Sequence, residues 1–307
     1  MNQNLTIVMY HYVRDLKGSS YPLIKGLDKE KFYNQLGYIQ NNYTPVTKQQ
    51  IIDAYDGEQL PANAIWLTFD DGYSDHYDVV LPALLKFGIE GAFFPPASPY
   101  KTQKLLDVNK IHFILAAQEN ALTLIDEIKK CLKSFDGLES FEHYYQKWGH
   151  ANRYDGAEVN FIKRMLQVGL PVSVRHEIAD QLFKSYVTQD EAGFSSNLYL
   201  SKSQIQEMLQ AGMQFGSHGT DHVWLDSLSR AKQKEDIKQS ITFMREMNIP
   251  LKDWMMCYPY GGYNKDTIKI LQDMGCALGV TVESRKASIP QDSRLILPRL
   301  DTNDLPQ

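Results

Sequence analysis

The chain has 307 residues, of which 43% are hydrophobic, 11% aromatic and 22% charged, and its formal net charge is −5. This composition is typical of a globular protein and excludes intrinsic disorder. A weakly acidic chain without a basic block also argues against nucleic acid as a main partner and against a polybasic membrane anchor.

The cysteines and the N-terminus bear on the cellular compartment. The three cysteines, Cys131, Cys257 and Cys276, are odd in number and form no CxxC pair, which argues against a disulfide framework and against a zinc knuckle. The apolar stretch 5–10 is too short for a signal sequence, and no apolar run approaches the ~18 residues that a membrane span requires. We therefore expect a cytoplasmic protein without a membrane span.

Strand-like and helix-like segments alternate in both flanks of the chain. The predicted strands are 5–13, 64–69, 91–94, 213–218, 254–260, 277–282 and 294–300. Helical patterns with apolar spacing follow most of them and begin near Asp28, Asp75, Ser201, Ser229 and Lys265. This alternation predicts an α/β fold with a parallel sheet and right-handed crossovers. Seven strands suit an incomplete βα-barrel, and an open doubly wound sheet is the alternative.

The middle of the chain differs from the flanks. Residues 100–200 carry helical patterns but no clear strand, and no linker rich in Gly, Ser or Pro marks either end. We predict a discontinuous barrel formed by residues 1–99 and 201–307, interrupted by a helical insertion at 100–200. A separate helical domain is the alternative. We expect the insertion to shape the substrate site or an oligomer contact.

Two acidic residues, Asp70 and Asp71, follow the second predicted strand in the segment WLTFDDG. Adjacent carboxylates repel each other, and burial raises the pKa of both. A metal ion removes that cost for one carboxylate and leaves the other as a base. The alternative is a polar Asp-Asp-Gly turn without a catalytic role.

Two histidines, His218 and His222, follow the fourth predicted strand in SHGTDH. Gly216 and Gly219 argue against a helix, so we interpret this segment as a loop that brings both imidazoles to one cation. Two histidines and one carboxylate form a catalytic metal pattern. For the histidine pair alone, a solvated loop without a metal is the alternative. The aspartate pair and the histidine pair lie at neighbouring strand ends, and together they indicate a metal site more specifically than either pair does alone.

The segments TFDDG, SHGTDH and YPYGG, in this order, resemble the signature of the polysaccharide deacetylases (NodB homology, carbohydrate esterase family 4). The resemblance covers roughly residues 1–98 and 201–303 and leaves out the helical middle. It implies a distorted (β/α)7 barrel.

The same resemblance implies roles for single residues. It implies that Asp70 is the general base, and that Tyr260 is the residue whose backbone N–H helps to hold an oxyanion. The metal ligands that it implies are Asp71, His218 and His222. In such a site the metal polarises an amide carbonyl and acidifies a water, and the base takes the proton.

The sequence departs from the family pattern at the general acid. The family's acid is a C-terminal histidine, and this chain has no histidine after His222. His11, in MYHYV at the end of the first predicted strand, resembles the acid of the circularly permuted PgaB/IcaB-like branch. We therefore assign His11 as the acid, and a buried structural histidine is the alternative.

A second departure is the arginine that orients the base, because MMCYPY has Met and Cys where that residue is expected. Arg299, in LPRLD, is our candidate to replace it, and Arg14 is a second candidate. A surface salt bridge is the alternative for either arginine. Tyr73, Trp224, Tyr258 and Tyr263 could stack on sugar rings, with core packing as the alternative.

These features predict a metal-dependent N-deacetylase that acts on an N-acetylated amino sugar or glycan in surface-polysaccharide biosynthesis. We expect a nucleotide-linked or lipid-linked sugar intermediate as substrate and Zn²⁺ as the metal, although other divalent ions suit the same ligands. One alternative is an inactive glycan-binding or scaffold protein with the same fold. Another is an amidohydrolase of a different kind, such as a deformylase or a cyclic-amide hydrolase.

Overall fold

The computed structural model describes residues 3–153 and 155–307, which form two compact units. The first unit runs up to Asp15 and includes Gly26–Thr102 and Ser196–Gln307, and the second comprises Leu16–Lys25 and Gln103–Ser195. Residues 1 and 2 of the predicted barrel and Tyr154 of the predicted insertion lie outside the described residues. Segment 16–25, which we predicted within the barrel, groups with the helical unit.

All strands of the described residues belong to the first unit. They are β1 (Gln3–Tyr10), β2 (Val13–Arg14), β3 (Leu27–Asp28), β4 (Thr44–Pro45), β5 (Ala64–Asp70), β6 (Gly91–Phe94), β7 (Gln214–Phe215), β8 (Met255–Cys257), β9 (Leu278–Val280), β10 (Ala287–Ile289) and β11 (Leu300–Asp301). The main sheet has the order β10-β1-β5-β6-β7, with β4 beside β5 and β11 beside β1. All of these pairs are parallel except β1 with β10.

The helices follow the predicted alternation. They are α1 (Lys29–Asn42), α2 (Lys48–Tyr55), α3 (Leu81–Phe87), α4 (Ser98–Thr102), α5 (Asp107–Ala117), α6 (Ala121–Leu132), α7 (Phe141–Trp148), α8 (Ala157–Arg164), α9 (Val172–Tyr186), α10 (Glu191–Leu198), α11 (Lys202–Gln210), α12 (Arg230–Glu246) and α13 (Lys265–Asp273). A π-helical turn at His76–Val80 leads into α3. Helices α5 to α9 form the second unit together with the start of α10. The α/β fold is therefore confirmed.

Strand β5 is buried along its whole length, and its side chains alternate between two apolar cores. Ile65, Leu67 and Phe69 pack with side chains of the surrounding helices. Trp66 packs in a second core with residues of the other central strands. Because strand side chains alternate with a period of two, Asp70 falls on the Trp66 side, at the carboxyl end of the strand. The carboxylate of Asp70 therefore lies at the end of β5, at the edge of the core that contains Trp66.

The predicted strands at 254–260 and 294–300 are longer than those in the structure. Strand β8 ends at Cys257, because a 3₁₀ turn at Pro259–Gly261 with Tyr260 in the left-handed region breaks the extended backbone. Of the segment 294–300, only Leu300 lies in a strand. Beyond β7, isolated parallel β-bridges join Ser217 to Met256 and Val280 to Leu297. The named strands therefore do not close a continuous barrel.

The second unit is helical in its described residues, as the sequence pattern predicts. Asp155 accepts hydrogen bonds from Lys25 (2.5 Å) and Lys163 (2.8 Å). The ring of Tyr21 meets that of Phe113 edge-on at 5.0 Å. These contacts explain why segment 16–25 belongs with the helices. Within the described residues, we find no helix that combines the length and apolarity needed to cross a bilayer.

Candidate active site

Polar side chains from several strands meet at one rim of the first unit. Asp70 ends β5, His11 follows β1, and His218 follows β7 after a short turn. Arg299 directly precedes β11. The carboxyl ends of parallel strands share one edge of a sheet, which is where α/β folds place their functional groups. The structure thus brings together residues that the sequence separates widely.

The turn after β5 has an unusual backbone conformation. Asp71 and Gly72 both have positive φ, 71° and 65°, and a non-glycine residue in this region is uncommon. A Cβ atom at Gly72 would lie 2.6 Å from Cβ of Pro95, so only glycine fits there. Such strain persists where the surroundings hold it and is concentrated at functional sites.

Next to this turn, three atoms that can bind a metal ion lie close together, one each from Asp71, His218 and His222. Oδ1 of Asp71 lies 3.4 Å from Nε2 of His218 and 3.4 Å from Nε2 of His222, and all three side chains are buried. Within the described residues, Oδ1 of Asp71 has no hydrogen-bond partner. A buried carboxylate oxygen without a donor is costly, and a divalent cation shared with two imidazoles removes that cost. The donor set therefore fits the metal that the sequence predicts.

The two histidines are oriented differently. Nδ1 of His218 lies 2.9 Å from the carbonyl oxygen of Cys257, and since a carbonyl only accepts, Nδ1 carries the proton and Nε2 keeps its lone pair for a metal. His222 has a positive φ of 50°, and its ring lies edge-on to Tyr260 with centroids 4.5 Å apart. Burial lowers the pKa of His222, which favours the neutral, ligating form.

The loop between the two histidines is held from helix α12. Asp236 accepts the backbone N–H of Thr220 at 3.0 Å and that of Asp221 at 3.3 Å. The Thr220 hydroxyl donates to the backbone carbonyl of Asp236 at 2.8 Å. Burial raises the pKa of Asp236 to about 6, against the two backbone hydrogen bonds. These contacts fix the spacing of the histidines without a helix.

Asp70 is bound by Arg299. The guanidinium donates from Nη1 to Oδ1 and from Nη2 to Oδ2, each at 2.8 Å, and both side chains are buried. Burial alone would raise the pKa of Asp70, but the charge and hydrogen bonds of Arg299 outweigh it and lower that pKa to about 2. Asp70 is therefore a carboxylate at neutral pH. Arg14, the second candidate, instead pairs with Asp75 at 2.6 Å.

Cys257 belongs to MMCYPY, the segment in which the family arginine is expected. Its buried thiol accepts a hydrogen bond from Nη2 of Arg299 at 3.3 Å, and burial raises the pKa of the thiol. Ligand atoms of Asp70, His218 and Cys257 also lie within 4.8 Å of one another. Sequence reasoning assigned no role to this cysteine, and no local pattern marks it.

His11 lies beside the carboxylate of Asp70. Its Nε2 is 3.8 Å from Oδ2 of Asp70, and the side chain is 41% exposed. Its backbone carbonyl accepts a hydrogen bond from Nε2 of His76, which is fully buried. His11 is thus fixed through its backbone while its imidazole reaches solvent.

Tyr260 lies at the edge of the site with a positive φ of 56°. Its ring stacks on Trp224 at a centroid distance of 3.6 Å and an angle of 9°. Trp224 is only half-buried, so together with Tyr260 it forms an aromatic surface beside His222 instead of packing in the core, which was the alternative for this residue. Tyr73 is fully buried and donates from its hydroxyl to Oδ2 of Asp71 at 2.6 Å.

Comparison with known proteins gives partial sequence matches. The chain is 32% identical over 93 residues to YxkH of Bacillus subtilis, whose name places it among polysaccharide deacetylases, and the match covers 30% of this chain and 33% of YxkH. It is 33% identical over 111 residues to the poly-β-1,6-N-acetyl-D-glucosamine N-deacetylase of Staphylococcus epidermidis, covering 33% of this chain and 37% of that protein. The matched region thus spans about a third of each relative.

Solved structures resemble the chain over its whole length. The deacetylase PplD of Streptococcus pyogenes gives a TM-score of 0.58 with 19% identity and covers 100% of this chain and 95% of PplD. IcaB of Ammonifex degensii gives 0.56 with 19% identity, covering 98% and 92%. At such identities the likeness concerns the fold, and it agrees with the barrel-type α/β fold predicted from the sequence.

The sequence model of the family described as polysaccharide deacetylase matches residues 57–123 and 176–279, together more than half of the chain. The matched residues include Asp70 and the whole donor set, Asp71, His218 and His222, whereas His11 and Arg299 lie outside them. The gap in the match, 124–175, falls within the predicted helical insertion. The chain belongs to the polysaccharide deacetylase family.

Proposed function

We propose that the protein is a metal-dependent N-deacetylase that removes the acetyl group from an N-acetylated amino sugar within a glycan. One observation carries the proposal. An ionised carboxylate, Asp70, is held by a buried arginine directly beside the converging donor atoms of Asp71, His218 and His222. Metal-assisted hydrolysis of an amide uses such a base next to a Lewis acid.

Asp71, His218 and His222 would hold the metal. Two imidazoles and one carboxylate suit Zn²⁺ with positions left open, and we propose zinc as the native ion. A divalent ion held there would polarise an acyl carbonyl and acidify a water.

The remaining residues handle the protons. With a pKa of about 2, Asp70 is ionised at neutral pH and accepts a proton only from a strongly acidified donor. The imidazole of His11, next to Asp70 and open to solvent, is in a position to donate a proton to the departing amine. We assign the backbone N–H of Tyr260 to the oxyanion, a stabilisation typically worth ~3 kcal/mol per donor.

The names of the relatives support a substrate class. The Staphylococcus epidermidis protein is named for poly-β-1,6-N-acetyl-D-glucosamine, and the Trp224–Tyr260 stack offers an aromatic surface of the kind that packs on sugar rings. We therefore propose a polymer of N-acetylglucosamine as the class to test first. A nucleotide-linked or lipid-linked substrate, a cytoplasmic location and an oligomer contact through the insertion remain predictions from the sequence.

The test is product analysis on a substrate panel. The zinc-supplemented protein is incubated with β-1,6-linked N-acetylglucosamine oligomers, N-acetylglucosamine, UDP-N-acetylglucosamine and the N-formyl analogues of these sugars, and acetate, formate and free amine are measured. We expect acetate and free amine in equal amounts from the oligomers, and none with the Asp70→Asn variant. Release of formate from N-formyl analogues alone would indicate a deformylase. Binding of oligomers without any release would indicate a non-catalytic glycan-binding protein.

A further inference from the structure

We propose that Tyr73 is a positioning residue for the metal-binding carboxylate of Asp71, an inference that rests on the metal site proposed above. The Tyr73 hydroxyl donates to Oδ2 of Asp71 at 2.6 Å, and both side chains are buried. The other carboxylate oxygen, Oδ1, faces Nε2 of His218 and of His222. The hydroxyl thus contacts one carboxylate oxygen of Asp71, and the two imidazoles face the other.

These contacts determine which oxygen of Asp71 is available to bind a cation. A free carboxylate rotates about its Cβ–Cγ bond and can offer one oxygen or both. A donor on Oδ2 fixes that rotation and occupies the second oxygen, so Oδ1 is the oxygen presented to the metal. The hydroxyl therefore acts on the metal site through Asp71 and does not itself belong to the donor set.

Aromatic packing holds the phenol ring of Tyr73 in place. It stacks on Tyr12 with centroids 3.9 Å apart and an angle of 15°. The Arg14 guanidinium lies 4.6 Å from the centroid of the Tyr12 ring and forms an ion pair with Asp75 at 2.6 Å. These contacts join the segment after β1 to the turn after β5.

The backbone on both sides of Tyr73 is held as well. The N–H of Ser74 donates to the carbonyl of Leu198 at 2.7 Å, and the N–H of Leu200 donates to the carbonyl of Gly72 at 2.9 Å. Because the ring and the backbone are both fixed, the hydroxyl oxygen of Tyr73 stays beside Oδ2 of Asp71, and it also interacts with Tyr12. Pre-organisation of this kind lets a partner of a metal ligand contribute to affinity, and loss of such a partner typically costs 10–100-fold.

The test compares two variants that each lose one buried tyrosine hydroxyl. Tyr73→Phe keeps the stacked ring and removes the hydroxyl, and with it the donor to Asp71 and the hydroxyl's hydrogen bond with Tyr12. Tyr258→Phe, the control, removes a hydroxyl that donates to the backbone carbonyl of Leu295 at 2.6 Å. Zn²⁺ affinity is measured by competition with a chromophoric chelator, and the Co²⁺-loaded proteins are compared by absorption spectroscopy. We expect Tyr73→Phe to bind Zn²⁺ about tenfold or more weakly, with an altered Co²⁺ spectrum, and Tyr258→Phe to match wild type in both.

A second variant, Tyr73→Met, lacks the hydroxyl but fills the space differently, and it should show the same loss of Zn²⁺ affinity. Wild-type affinity in either folded variant overturns the proposal, as does an equal loss in Tyr258→Phe. If neither Tyr73 variant folds, the hydroxyl serves the fold instead of the carboxylate, and the proposal is equally overturned. Failure of the deacetylase proposal would be seen separately, as wild-type protein that binds Zn²⁺ and releases no acetate.

Discussion

Arg299 and Asp70 form a bidentate ion pair across 229 residues of sequence, with two hydrogen bonds of 2.8 Å. The guanidinium is fully buried, and its other donors reach Thr68, Thr281 and Cys257. The pair thus joins Asp70 to the last strand segment of the chain. Cys257 contacts the same guanidinium through its thiol.

Replacing Arg299 should destabilise the fold strongly. Arg299→Met leaves the buried charge of Asp70 without its partner, and breaking such a pair typically costs ~3–5 kcal/mol. Urea denaturation measures the change in the free energy of unfolding. The control is Arg285→Met, which removes the Arg285–Asp292 pair at a half-exposed arginine and should cost less than ~1 kcal/mol. Equal losses in the two variants would contradict this account of the buried pair.

The metal should depend on His222 and Asp71 but not on Cys257. Asp71→Ala and His222→Ala each remove one ligand of the proposed site and should lower the bound zinc well below one per chain. Cys257→Ser tests the other group of donor atoms, Asp70, His218 and Cys257, and should keep the full metal content. Elemental analysis of the purified proteins decides between the two sets, because zinc lost in Cys257→Ser but kept in His222→Ala would place the ion at the second set.

Asp70→Asn should separate catalysis from metal binding. The amide keeps the shape of the side chain but cannot take a proton, so turnover should fall by ~10²–10⁴-fold. The zinc content should stay at the wild-type level, because Asp70 is not among the proposed ligands. Steady-state acetate release and elemental analysis on one sample give both quantities. A rate within a few-fold of wild type would remove Asp70 as the base.

His11→Ala should slow only those substrates whose leaving group needs a proton. On N-acetyl sugars the departing amine must be protonated, and loss of a general acid typically costs ~10²–10⁴-fold. On p-nitrophenyl acetate the leaving phenolate departs without protonation, so the variant should retain most of the wild-type rate. Equal losses on both substrates would indicate that His11 serves the structure of the site instead.

His76 should make the fold sensitive to mild acid. Burial lowers its pKa from 6.5 to about 4, so as the pH falls from 6.5 towards 4 the unfolded chain takes up a proton that the folded protein does not. The folded state should therefore lose ~2 kcal/mol of this contribution between pH 7 and pH 5. Urea denaturation at both pH values should show that loss reduced in His76→Gln. His143→Gln, at an exposed position, should retain it, and an unchanged pH dependence in His76→Gln would contradict the assignment.

The sequence by itself indicated the central residues of the candidate site. Asp70, Asp71, His218 and His222 were found because each pair is local, so that residue type and spacing after an apolar run already restrict the chemistry. The α/β alternation was found for a similar reason, since β5 and the longer helices carry clear apolar periodicities. Among the two- and three-residue strands, β7, β8 and β9 were predicted too long and β3, β4 and β10 were missed, because so few residues carry no period and their pairing depends on neighbours far away in the chain.

The tertiary structure decided the partners of these residues. Arg299 was one of two candidate arginines, and only the parallel pairing of β1 with both β5 and β11 brings it to Asp70 while Arg14 goes to Asp75. The same pairing brings His11 beside Asp70. The contact of Tyr73 with Asp71 depends on a turn in which two successive residues have positive φ, and its ring is held by Tyr12 from another strand end. Such contacts join residues that share no local pattern, since strand ends become neighbours only when the sheet has formed.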